Sequence, residues 1–127
     1  MFITIDERDA RPIYQQVVDG IKELVARGEL QEGSALPPVR QVAADLGVNL
    51  NTIATAYRRL QKEGLIKIRH GSGAIVISRK VTQKAEDQLQ AQLRAALTQL
   101  VLSGLARTEI TAVVGHELDG LFRGRGR

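Results

Sequence analysis

Two amphipathic stretches joined by a tight glycine turn, a β-hairpin pattern directly after them, and two further leucine-striped stretches at the end predict an α+β chain. The expected architecture is an N-terminal winged helix-turn-helix followed by a short C-terminal two-helix dimerisation hairpin. The pieces in this order are far more specific than any one of them. With 127 residues there is room for one modest core and an appendage, not for a large catalytic domain. The expected division is residues 1–78 for the winged helix and residues 79–127 for the helical dimerisation region.

Phe2 to Ile5 is apolar and β-branched ahead of an acidic turn, and reads as a short edge strand. Pro12 suits the first turn of a helix, and Ile13, Val17, Ile21 and Leu24 follow at helical spacing as one buried stripe, stopped by Gly28. After a turn through Glu32, Gly33 and Ser34, the pair Pro37 and Pro38 opens a second helix. Val39, Val42, Ala43 and Leu46 face inward there, and Gly47 ends it. Asn49 caps a third helix with Ile53, Ala56, Tyr57 and Leu60 as its buried face and Gly64 as its stop.

Leu65 to Arg69 alternates apolar and cationic residues, and Ala74 to Ile77 is a second β-rich run. Together they predict a hairpin with a four-residue polar tip, His70, Gly71, Ser72 and Gly73. Ser78 to Gln83 reads as a polar linker. Beyond it, Leu89, Leu93, Leu97 and Leu100 form a stripe up to Gly104, and Thr108 is expected to cap a last helix bearing Ile110, Val114, Leu118 and Leu121. Two helices of this size cannot bury their stripes alone. The same hairpin from a second chain would cover them in a homodimer, the alternative being packing against their own winged helix. A dimer of hairpins could enclose an apolar cavity between Leu97, Leu100, Val114 and Leu118, which would admit a small-molecule effector. The glycine-broken cationic tail, Arg123 to Arg127, reads as a frayed terminus.

Composition bounds the function. Hydrophobic residues at 43% with 25% charged describe a folded water-soluble chain, and only 3% aromatic residues leave an aliphatic core. The absence of cysteine removes disulfides, thiolate metal sites and cysteine nucleophiles. Acids stand near the start where a secretory signal would carry cations, and no apolar run approaches the roughly 20 residues that span a bilayer. A cytoplasmic location without membrane attachment is expected. His70 and His116 lie in separate regions without a carboxylate cluster, so neither a metal nor a cofactor is expected. Gly71, Ser72 and Gly73 lead into a β-run and not a helix, which lacks the anion-binding helix start of a phosphate loop. With no nucleophile or acid–base pair in evidence, the chain does not read as an enzyme.

The net charge of +4 points toward a polyanionic partner. Arg58, Arg59, Lys62, Lys67 and Arg69 fall within twelve residues, and on one face they would form a phosphate-binding stripe; a merely solvated surface is the alternative. A winged helix reads duplex DNA with the first turn of its second motif helix in the major groove. Here that turn is Asn49, Leu50, Asn51 and Thr52. Asn51 has the amide that pairs with adenine, and Thr52 can reach a base edge or a phosphate, while capping alone can account for Asn49. Thr55, Arg58 and Arg59 suit phosphate contacts. Arg40 points outward between Val39 and Val42, where it could grip guanine or a phosphate. His70 and Gly71 at the wing tip suit the minor groove. The rival reading is a winged-helix protein-interaction module without specific DNA binding, against which stand the polar first turn and the scarcity of aromatic anchors.

The run from Gly33 to Val76 resembles the GntR family of bacterial transcription regulators. Leu36 to Ala43 resembles its signature around the second helix, Leu46 to Ile53 its turn and recognition helix, and Leu60 to Ile66 with Arg69 to Gly73 its wing. Pro12 to Val17 and the short C-terminal region are similar to the YtrA subfamily. This resemblance implies a homodimeric regulator, usually a repressor and often of a neighbouring transporter operon, whose C-terminal part serves dimerisation with little room for an effector. Arg40, Asn51, Thr52, His70 and Gly71 match positions the family uses on DNA. Leu50 and Ala54 stand where many members carry arginines, so those two contacts do not carry over.

Overall fold

The computed structural model describes residues 3–70, 73–77 and 83–123. The elements are α1 (Ile13–Ala26), β1 (Ala35–Leu36), α2 (Val39–Leu46), α3 (Leu50–Lys62), β2 (Ile66–Arg69), β3 (Gly73–Val76), α4 (Gln83–Leu102) and α5 (Arg107–Phe122). They divide into two compact units, Met1–Arg79 and Lys80–Arg127. Among the described residues no helix is long and apolar enough to cross a membrane.

The first unit is a winged helix. Its core is aliphatic apart from Tyr57, and gathers Val17, Val18, Ile21 and Leu24 of α1, Val42 and Ala43 of α2, and Ile53, Ala56, Tyr57 and Leu60 of α3. Leu36, Ile66 and Ala74 close it from the sheet. Ile13 departs from the expected stripe, being 37% exposed at the start of α1. Val39 and Leu46 are only partly buried against the core. Gly47 ends α2 in the left-handed conformation at φ 68°, which lets the chain turn directly into α3.

The segment expected as an N-terminal strand is not one. Ile3 to Ile5 has no regular structure, although Ile3 is buried, and Phe2 lies outside the described residues. The described sheet offers this segment no strand to pair with, and Ile3 packs over Gly20 of α1 instead. Just beyond it, Gln16 of α1 holds the chain, its Oε1 accepting the Asp6 N–H at 2.9 Å while its Nε2 donates to the Asp6 and Arg11 carbonyls at 3.0 and 3.1 Å.

The sheet is antiparallel with order β1-β3-β2. β1 has only two residues, too short to show an alternation in the sequence. Gly33 N–H donates to Val76 O, and Val76 N–H donates to Ser34 O, extending the expected turn onto β3. Gly73 pairs with Arg69 inside the ladder, so it belongs to β3 and not to the polar tip where it was expected. Gly71 and Ser72 of the expected tip, residues 78–82 of the expected linker and residues 124–127 of the tail lie outside the described residues.

In the second unit α4 and α5 contact each other, with Gly104 at φ 92° in the turn between them. Thr108 does not cap α5. The helix starts at Arg107, and Glu109 Oε1 accepts the Ala106 N–H at 2.8 Å, so the acidic side chain in the first turn serves the helix start from within.

Candidate nucleic-acid interface

The interface is built on α3. Asn49 Oδ1 accepts the Asn51 N–H at 2.7 Å, the cap that Asn at this position provides. With the helix started there, about 100° of rotation per residue sets its faces. Ile53, Ala56, Tyr57 and Leu60 point into the core, and Asn51, Thr55, Arg58 and Lys62 fall on the opposite arc. Thr52 and Arg59 lie on one flank, Leu50, Ala54 and Gln61 on the other.

The outward arc is cationic and internally braced. Thr55 Oγ1 donates to the Asn51 carbonyl at 2.8 Å and accepts from Arg58 Nη2 at 3.2 Å, so Thr55 orients Arg58 along the helix. Arg59 is engaged otherwise. Its Nε donates to Glu63 Oε2 at 3.2 Å, while Lys22 of α1 holds Glu63 Oε1 at 2.6 Å. Burial raises the Glu63 carboxyl, but the hydrogen bonds and charges of Lys22 and Arg59 together outweigh it and hold the group below the usual range. The five cations, which would form one stripe only if they shared a face, separate: Arg58 and Lys62 share the outward face, Arg59 turns to the α1 side, and Lys67 and Arg69 occupy the exposed positions of β2.

Arg40 is exposed in the first turn of α2, as its spacing from Val39 and Val42 implied, and His70 is exposed at the end of β2. Gly71 lies outside the described residues. Three features were missed in the sequence. One is the shallow groove where Pro12, Ile13 and Tyr14 of α1 face Asn51, Thr52 and Thr55 of α3, for which the sequence held no signal, since Ile13 fits the spacing of the buried stripe. Another is the Lys22–Glu63–Arg59 link: Arg59 and Glu63 stand at i, i+4 spacing, which was the available signal, whereas Lys22 is too far away in sequence to be paired by pattern. The third is the Tyr57 hydroxyl, which donates to the Pro37 carbonyl at 2.6 Å and ties α3 to the start of α2.

A helix with a buried apolar face and a polar, cationic outer face, carried beside a β-wing, is the arrangement of a winged-helix DNA-binding domain. Residues 13–76 match the family described as bacterial regulatory proteins, gntR family, and the chain belongs to that family. It is 34% identical over 100 residues to the HTH-type transcriptional repressor YtrA of Bacillus subtilis (strain 168), covering 79% of this chain and 76% of that relative. YtrA from Sulfolobus acidocaldarius, a GntR-family transcription factor, superposes with a TM-score of 0.65 at 37% identity, over 77% of this chain and 99% of its own. A Listeria monocytogenes EGD-e protein described as a transcriptional antiterminator superposes with a TM-score of 0.86 at 29% identity, over 95% of this chain and 92% of its own. Similarity to two YtrA proteins places the chain in the YtrA subfamily. It is a transcription regulator with a DNA-binding domain, and not an enzyme.

Proposed function

We propose that the chain is a cytoplasmic homodimer that represses its own or a neighbouring operon, such as one for a transporter, by binding a specific operator. The observation that carries this reading is the outward arc of α3, where Asn51 leads a cationic line of Arg58 and Lys62 directly opposite the buried face. In this reading Asn51 and Thr52 meet base edges, Asn49 sets the helix start, and Arg40 grips a guanine or a phosphate. Thr55 aligns Arg58 on the DNA backbone, Arg59 adds a second phosphate contact, and His70 and Gly71 enter the minor groove. Residues 1–78 form the DNA-reading domain and residues 79–127 the dimerisation region.

Support for the dimer comes from the second unit, where no described residue is buried. Leu89, Leu93 and Leu118 are exposed, and Leu97, Leu100, Ile110, Val114 and Leu121 are half-buried. Repression is supported by the name of the Bacillus subtilis relative, a transcriptional repressor.

Fluorescence anisotropy on duplexes from the chain's own upstream region, against scrambled duplex across a salt series, tests the reading. The expected result is a dimer that prefers one fragment by at least ~10³-fold. Uniform binding to every duplex tried, the neighbouring operons' promoters included, would refute a specific operator.

A further inference from the structure

The wing is fastened to α3 by a bond that no sequence pattern marks. β2 lies at the edge of the sheet, so one of its sides has no strand partner. The N–H of Ile68 on β2 donates instead to Oε1 of Gln61 on α3, at 2.7 Å. Gln61 sits on the flank of α3 away from Arg59, about a quarter turn from the outward arc. The other strand of the wing is fixed separately. Gly73 has φ +81° and approaches β1 so closely that a Cβ there would lie 2.6 Å from the Leu36 carbonyl oxygen. The next carbonyl, that of Pro37, accepts the hydrogen bond from Tyr57 of α3. Both strands of the wing thus refer back to the helix that carries Asn51, β3 through Leu36, Pro37 and Tyr57, and β2 through the buried Ile66 at its start and the Gln61 hydrogen bond nearer the tip.

We propose that Gln61 is a positioning residue for the DNA interface: it fixes the angle of the wing to α3, so that His70 and Asn51 meet the duplex in one register. The proposal rests on the operator-binding reading above. Its physical ground is preorganisation: Ile66 anchors the start of β2 in the core, and a tip-proximal half that lacked the Gln61 bond would lose its extra freedom on binding and weaken the complex accordingly. The side-chain acceptor also caps the open edge of β2. Gln61 is exposed, so its replacement leaves the core intact.

The test is a double-mutant cycle on the full chain, with the upstream duplex it binds most tightly as probe. Gln61→Ala is placed both in the native background and in one lacking wing contacts, Arg69→Ala with His70→Ala. Amide exchange at Ile68 is read in parallel without DNA. The expected results are faster exchange at Ile68 in Gln61→Ala, and an affinity loss of roughly 2- to 10-fold with the wing intact, the range of one net hydrogen bond. In the wing-deficient background the loss shrinks to nothing measurable. An equal loss in both backgrounds overturns the proposal, because Gln61 would then act on DNA directly. Unchanged affinity with the wing intact, or unchanged exchange at Ile68, overturns it as well. Failure of the operator reading looks different: the native chain itself would not prefer the duplex over scrambled DNA.

Discussion

The two units carry the same kind of sequence signal and use it differently. In the first, the stripes of α1 and α3 end in fully buried positions: Val17, Ile21, Ile53 and Leu60 show no exposed surface. In the second, stripes of equal regularity leave Leu89 and Leu93 each 56% exposed. An i, i+4 leucine pattern therefore says that a helix has an apolar face, and nothing about what covers it. Three helices and a sheet enclose a core, whereas a helix pair has only one face per helix to bury and two helices to do it with.

If the second unit's faces are completed by a second chain, the sharpest way to break the contrast is Leu97→Asp. A carboxylate in the dimer seam has no partner, and the expected penalty is about 3–5 kcal/mol. Light scattering should then report a monomer whose winged helix melts as before. A dimer of native mass would show that the seam avoids Leu97. The mirror experiment in the first unit is Leu60→Ala, which leaves a cavity in a closed core and should cost about 3 kcal/mol in chemical denaturation. Unlike the loss in Leu97→Asp, this one is independent of protein concentration in its effect on the winged helix.

The contrast also explains what could be read in advance. The order of α1, α2, α3 and the hairpin was legible because each helix has an apolar stripe at helical spacing and a glycine or proline boundary. β1 was not, since two residues carry no period, and its existence depends on β3 being there to pair with. The N-terminal arm shows local β-character in sequence, whereas its packing on α1, with Ile3 over Gly20, is not visible there. At the interface, the exposure of Arg40 and the cap at Asn49 followed from spacing alone. The partition of the cations followed only in part, because the i, i+4 pair of Arg59 with Glu63 is a matter of spacing while the hold of Lys22 on Glu63 from another helix is not.

The core of the first unit contains a titratable group, and alkali should single that unit out. Burial pushes the Tyr57 phenol up to about 12. Between its ordinary value near 10 and that value the unfolded chain loses the proton while the folded chain keeps it, so stability is full below pH 10 and falls as pH rises toward 12. The expected loss is about 2 kcal/mol. Tyr57→Phe removes this contribution, so the gap between native and variant urea midpoints should narrow or reverse between pH 9 and pH 11.5. A constant gap would mean that the phenol ionises in the folded state as readily as in water.

The smallest effect discriminates best between structure and recognition at α3. Asn49 was a candidate for DNA contact, yet its Oδ1 already accepts the Asn51 N–H. If capping is its whole contribution, serine should replace it and alanine should not, because serine also presents an oxygen to the first-turn N–H groups. Asn49→Ala should then lose about 1 kcal/mol of stability, with operator affinity reduced only as far as α3 frays, while Asn49→Ser keeps both. Should Asn49→Ser stay fully stable but bind the operator as weakly as Asn49→Ala, the amide nitrogen left free by the cap would be the group that touches DNA. Asn49 would then serve both the fold and the interface through the two ends of one side chain.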